Sequence, residues 1–305
     1  MATYVTSDAH GHVRALDRAL ELAGPGSGDV VYVLGDMVDR GPDPVGVLRL
    51  VRSLPNARVL MGNHERMLLD TLMSEDEREV FIWEMNGGST TARGLDSLAS
   101  DEAADLIDWI AQLPLFDVVE VDDRRPGAAA RAGVLGCCDA RRTYLLSHAG
   151  IDALAARAYL AMAGTAGSTG TFADAAGSSA VSGADVATLR DMMASQSADD
   201  LLWIRSEFWG APTGLVGPDG RGPVVVAGHT PSILLRRYAT LMGGTGAHEG
   251  MYGCMVEVGA TASTFGEADR ICVDCAAATG YPSGRVGVMR LEDRRVWYAE
   301  VREGE

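Results

Sequence analysis

The chain has 305 residues, 47% hydrophobic and 22% charged, with a formal net charge of −16. That length supports one large α/β domain or two small ones, and the acidic balance excludes long-range attraction to nucleic acid or an anionic membrane. No apolar run approaches the roughly 18 residues that span a bilayer; Met1-Ala2-Thr3-Tyr4 opens no secretory signal and the 5 cysteines do not suggest a disulfide framework, so a cytoplasmic protein is expected.

One pattern recurs along the chain. A short apolar, β-branched run stops at Gly or Ser with Asp, Asn or His beside it. Thr3–Thr6 runs into Ser7-Asp8-Ala9-His10-Gly11, and a helix follows, with Val13, Leu16, Leu20 and Ala23 on one face and Gly24-Pro25-Gly26 ending it. Val30–Leu34 runs into Gly35-Asp36-Met37-Val38-Asp39-Arg40-Gly41-Pro42, and Val45, Leu48 and Val51 predict a second helix. Ala57–Met61 runs into Gly62-Asn63-His64-Glu65. A helix containing Phe81 and Trp83 is expected to end at Asn86-Gly87-Gly88, and Ser100 is expected to cap another that carries Leu106, Ile107, Ile110 and Leu113. Thr143–Leu146 runs into Ser147-His148-Ala149-Gly150, and Val224–Ala227 into Gly228-His229-Thr230-Pro231. Arg285–Leu291 and Arg295–Val301 read as a hairpin around Glu292-Asp293-Arg294.

Any one of these clusters alone reads equally well as a turn or a helix cap. Turns do not need His, however, and 4 of the 6 histidines (His10, His64, His148 and His229) lie in them. In open α/β sheets ligands gather beyond the carboxyl ends of the strands. The clusters therefore converge on one crevice. Asp, Asn and His together suit Mn, Fe, Zn or Mg, and there are enough of them for two ions. Two such ions sharing a carboxylate form a clamp for in-line displacement at phosphorus. Every basic residue is Arg, so a phosphate grip would be built from guanidinium groups, which hold two oxygens at once.

With Gly35–Pro42 and Gly62–Glu65 as its most specific segments, the sequence resembles the PPP-type metallophosphoesterases, the superfamily of Ser/Thr protein phosphatases, in their bacterial form. Ser7 stands where that family usually has Gly. The resemblance implies an α/β, calcineurin-like metallophosphoesterase fold: a four-layer sandwich with two mixed β-sheets flanked by helices. It also implies roles. Asp8 and His10 would hold one metal, Asp36 would bridge, and Asn63, His148 and His229 would complete the second. His64 would give a proton to the leaving oxygen, Asp39 would orient it, and Arg40 would bind phosphate. Arg205, which follows Trp203-Ile204, would be the second phosphate arginine. Physically, a neighbouring carboxylate favours a protonated imidazole, and poor alkoxide leaving groups need that proton most.

The chain is expected to form a single domain over 1–305, with a flexible Ala/Gly/Ser-rich insertion at about 162–183. The expected reaction is hydrolysis of phosphomonoesters, phosphoserine or phosphothreonine in proteins, by a water held between two divalent ions, with Mn2+ first and Fe, Zn or Mg as substitutes. The alternative is a symmetrical dinucleoside polyphosphate hydrolase. Those enzymes resemble this family closely, with Ala at the position of Asp39 and Asp at that of Glu65, so both positions favour the phosphatase. A non-catalytic phosphoprotein-binding protein would lack ligands, and none is missing. Near the C-terminus the family's Asp-Thr-Gly is replaced by Asp274-Cys275-Ala276, and Gly280-Tyr281-Pro282 stands where Tyr-Gly-Gly is expected. Cys272 and Cys275 are expected on one strand as buried small hydrophobes. Cys137-Cys138 is expected in a hairpin loop.

Overall fold

The structure is a computed structural model that describes residues 1–74, 76–126, 140–166, 183–235, 238 and 248–305. The expected insertion at 162–183 falls largely outside these residues, as does Cys137-Cys138.

Two mixed five-stranded sheets form the centre. The first has the order β12-β11-β1-β2-β3, with β1 Thr3–Thr6, β2 Val30–Val33, β3 Ala57–Val59, β11 Arg285–Arg290 and β12 Arg295–Glu300. The second has the order β4-β5-β6-β10-β9, with β4 Phe116–Asp122, β5 Arg141–Ser147, β6 Val224–Ala227, β9 Val256–Val258 and β10 Arg270–Cys272. In the first sheet β1, β2 and β3 run parallel, with β3 at one edge and the antiparallel β11 and β12 on the other side of β1. In the second the central β5, β6 and β10 run parallel, and antiparallel β4 and β9 close the edges. A short pair, β7 His248–Glu249 and β8 Tyr252–Gly253, stands apart.

The strands read as unbroken apolar runs because both faces are covered. Successive side chains point to opposite faces, and the packing follows that period. Val5, Tyr32, Leu34 and Leu60 of the first sheet meet Tyr144, Leu146, Val224 and Val226 of the second in the layer between the sheets. Tyr4, Val31, Val33 and Val59 turn outward onto helices α1 Val13–Ala23, α2 Pro44–Ser53, α3 Asn63–Met73 and α6 Ser100–Ala111, through Leu16, Leu48, Leu68 and Ile110. Leu145, Val225 and Ala227 turn onto the helices 153–166, 186–194, 198–203 and 206–209. The result is the expected four layers. Each fully buried Leu or Val contributes about 1.5–3 kcal/mol.

Local expectations hold at most elements. Gly24 caps α1 in the left-handed region with φ 62°. β11 and β12 pair antiparallel from Arg285↔Glu300 to Arg290↔Arg295, as the hairpin reading requires. Two details differ. The N-cap of α6 is Ala99, and Ser100 is already the first helical residue with no capping bond. β10 ends at Cys272, so Cys275 lies past the strand; both thiols are free and buried, as small hydrophobes would be. Among the described residues, no helix is long and apolar enough to cross a membrane.

Candidate metal centre

Every polar cluster sits just past the carboxyl end of a parallel strand: Asp8 after β1, Asp36 after β2, Asn63 and His64 after β3, His148 after β5 and His229 after β6. The loops there touch one another. A Cβ on Gly62 would come within 2.3 Å of the Asp36 carboxylate and 2.4 Å of the Asp36 backbone N, so only glycine fits. The backbone is also strained. Asp8, His10, Asp36, Asp39, Arg40 and His229 take positive φ of 56°, 42°, 53°, 68°, 68° and 63°. Such conformations cost on the order of 1–3 kcal/mol each and persist only where the surroundings dictate them.

Glu65 does much of that dictating. Its buried carboxylate accepts the backbone N–H groups of Asp36 (2.8 Å), Met37 (2.7 Å), Val38 (3.3 Å) and Gly62 (2.9 Å). Burial pushes this carboxyl up, and the amides of Asp36, Met37 and Gly62 oppose the shift. The sequence reading used Glu65 only to tell two families apart. Its spacing from Gly62 signals a capping box, but the Asp36 loop it clamps lies far away in the chain.

Asp36 is the hub. His10 Nε2 lies 3.4 Å from Oδ2 and His64 Nε2 3.9 Å from the same oxygen, while His148 Nε2 lies 3.4 Å from Oδ1. His10, Asp36 and His64 form one group with converging ligand atoms, and Asp36, His148 and His229 form another. Asn63 Oδ1 joins the second, 2.9 Å from His148 Nε2 and 2.8 Å from His229 Nδ1. Asp8, expected beside His10, instead accepts the His229 backbone N–H at 3.1 and 3.0 Å. It still faces the centre, since its charge raises the Asp36 carboxyl.

The donor set suits divalent cations. Nδ1 of His10 and of His148 face the carbonyls of Val38 (3.0 Å) and Leu34 (2.7 Å), which as hydrogen bonds leave the Nε2 lone pairs aimed at Asp36. Burial keeps these rings neutral: it lowers His10 and His229 well below the usual range and brings His148 to about 3. Burial pushes the Asp8 and Asp36 carboxyls well up, with Asp274 adding to the first and Asp8 to the second. Asp274, set aside above as a departure from the family pattern, is buried at the same centre and raised to about 6 by burial. Acidic groups that crowd each other in a dry crevice, beside neutral imidazoles, call for positive charge.

The remaining residues frame this centre. Asp39 Oδ2 accepts His64 Nδ1–H at 2.7 Å, and Arg40 Nη2 donates to His64 Nε2 at 3.0 Å. Burial lowers the His64 pKa, and the Asp39 bond opposes that shift. Arg205 Nη1 donates to the His229 carbonyl at 3.1 Å, and its charge bears on His64, His148 and His229. Asn86 caps helix α4, Glu77–Met85, and Gly87 also meets the site, its carbonyl accepting the Arg40 N–H at 3.1 Å.

A family model described as calcineurin-like phosphoesterase matches residues 1–254. The chain belongs to that family. A bis(5'-nucleosyl)-tetraphosphatase, symmetrical, from Erwinia tasmaniensis is 33% identical over 137 residues, 44% of this chain and 45% of that protein. A protein of the same name from Colwellia psychrerythraea is 29% identical over 158 residues, 50% of this chain and 48% of the relative. The chain thus spans about half the length of the curated relatives it matches. A solved structure titled as a putative diadenosine tetraphosphatase superposes with a TM-score of 0.50 and 16% identity, covering 99% of this chain and 94% of that one. That likeness concerns the fold alone. The two sheets, the flanking helices and the family match agree with the metallophosphoesterase fold expected from the sequence.

Proposed function

We propose that this chain, acting as one domain, hydrolyses a phosphate ester or anhydride at two divalent ions. Asp8, His10, Asp36, Asn63, His148 and His229 would hold them, with Asp36 shared. The observation that carries this reading is the position of Asp36, with His10 on one carboxylate oxygen and His148 on the other, each 3.4 Å away. Mn2+ is the proposed ion, and Fe, Zn or Mg suit the same donors. Bound there, the ions supply a nucleophile at neutral pH and neutralise phosphoryl charge. The chain's own residues do the rest. Arg40 and Arg205 grip phosphoryl oxygens. An arriving phosphate draws the Arg40 guanidinium off His64 Nε2, which frees that nitrogen to carry the proton for the leaving oxygen, while Asp39 fixes the ring.

For the substrate, the comparisons weigh towards the reading that began as the alternative. The curated relatives bear the name of symmetrical dinucleoside tetraphosphatases, and nothing of comparable identity bears a protein phosphatase's name among those described above. A cleft of about 520 Å³ holds none of the proposed ligands; it adjoins them only through Trp203, whose ring meets that of His229 edge-on at 6.0 Å, and Arg157, Asp152, Asp199, Asp200 and Glu207 are among its other lining residues. One feature of this chain favours a phosphomonoester instead: the buried Asp39–His64 pair at 2.7 Å, which serves a basic leaving group more than a stabilised nucleotide phosphate. Turnover of diadenosine tetraphosphate and a phosphoserine peptide, under matched Mn2+ and pH, separates the two. The relatives' names lead to the expectation that the dinucleotide has the higher kcat/KM. A tenfold preference for the peptide, about 1.4 kcal/mol in transition-state binding, would return the assignment to the phosphomonoesterase.

A further inference from the structure

Asp39 is fully buried, and three side chains converge on its carboxylate. One is His64. The other two come from helices that contribute no ligand. Trp83 of α4 points Nε1–H at the carboxylate, 3.1 Å from Oδ1 and 3.0 Å from Oδ2. Thr91, on helix α5 Ser89–Asp96, donates its hydroxyl to Oδ1 at 2.5 Å and accepts the Asp39 backbone N–H at 2.9 Å. Thr91 thereby grips both the backbone and the side chain of one residue. Trp83 is the buried residue of α4, whose Phe81 and Met85 face solvent.

The geometry points to Trp83 and Thr91 as positioning residues for proton transfer: they lock the Asp39 carboxylate, which in turn sets the ring of His64. This rests on the reading of His64 as proton donor. A carboxylate with one partner can rotate about its last bonds. Here the indole N–H and the hydroxyl occupy the lone pairs that His64 does not use, so one orientation remains. Unless its N–H found an acceptor, a buried indole would lose a hydrogen bond, so the arrangement is held from both ends. The ring of His64 then presents Nε2 to the leaving oxygen in a fixed direction, as general-acid chemistry needs.

The test uses the full chain with Mn2+ and two substrates, phenyl phosphate with a poor leaving group and p-nitrophenyl phosphate with a good one. Thr91→Val keeps shape and Trp83→Phe keeps an aromatic ring, and both remove the donors; Thr91→Ser keeps the hydroxyl; His64→Asn is the reference. Both donor-removing variants should lower kcat on phenyl phosphate roughly tenfold and on p-nitrophenyl phosphate about threefold or less, with KM and metal content unchanged. Thr91→Ser should restore the rate on phenyl phosphate, which keeps the inference testable even if Trp83→Phe folds poorly. If His64→Asn shows the leaving-group dependence and neither donor-removing variant does, the positioning inference is overturned and the donor reading stands. Equal losses on both esters in those variants would also overturn it, as the mark of a merely structural role. If His64→Asn itself loses rate equally on both esters, the donor reading fails and takes the inference with it.

Discussion

Four backbone amides from two loops meet on the Glu65 carboxylate. Glu65→Ala would leave them buried and unpartnered, at about 1–3 kcal/mol for each group that water cannot reach. Urea unfolding of the metal-free chain should therefore show a loss of more than about 3 kcal/mol, and an unchanged midpoint and slope would contradict the clamp. Arg205 makes a different kind of contribution. Among the described residues its one side-chain hydrogen bond goes to the His229 carbonyl and leaves other N–H groups for phosphate, so Arg205→Ala should lower kcat/KM by about 10²–10³ with metal content intact. Unchanged kinetics would place the second phosphate contact elsewhere. At this scale the sequence was most readable where a side chain's chemistry is rare in turns: four histidines at strand ends announced a centre. Glu65, Trp83, Thr91 and Asp274 were not readable in the same way. Each acts through a partner on a distant segment, and no local spacing records that contact.

Among the elements, helices α4 and α5 show how an unremarkable turn can carry weight. Gly87, between them, has φ 99°, and a Cβ there would meet the Arg40 side chain at 2.8 Å and its backbone N at 3.0 Å. Gly87→Ala should push Arg40 out of place, raise KM for phosphate substrates and lower the thermal midpoint, since a Cβ is strained at this φ. A variant with wild-type KM would show that the turn is only a helix end. The parallel strands were legible because their ends carry chemistry and their middles are apolar on both faces. β4 was not, although Phe116–Asp122 alternates well enough for a half-buried strand. It sits at a sheet edge, pairs antiparallel with β5, and contributes none of the residues of the centre. The same holds for the short β9 at the opposite edge. Ser100 misled because a serine before an apolar face reads as a cap, whereas the helix starts on that residue.

For the whole molecule, the layers exist to bring strand ends from two sheets face to face. Asp8, Asp36, Asn63 and His64 arrive from the first sheet and His148 and His229 from the second, so neither sheet alone forms the centre. Its buried carboxyls and neutral imidazoles are costly without cations, and that cost makes metal binding the claim on which the account depends. Asp36 touches both halves, so Asp36→Asn should remove both ions, whereas a change confined to one side should spare one. Elemental analysis of the purified, unchelated, fully active chain tests this most directly. Two divalent ions per chain, falling to none or nearly none in Asp36→Asn, is the predicted result; one ion or none in fully active protein would contradict it.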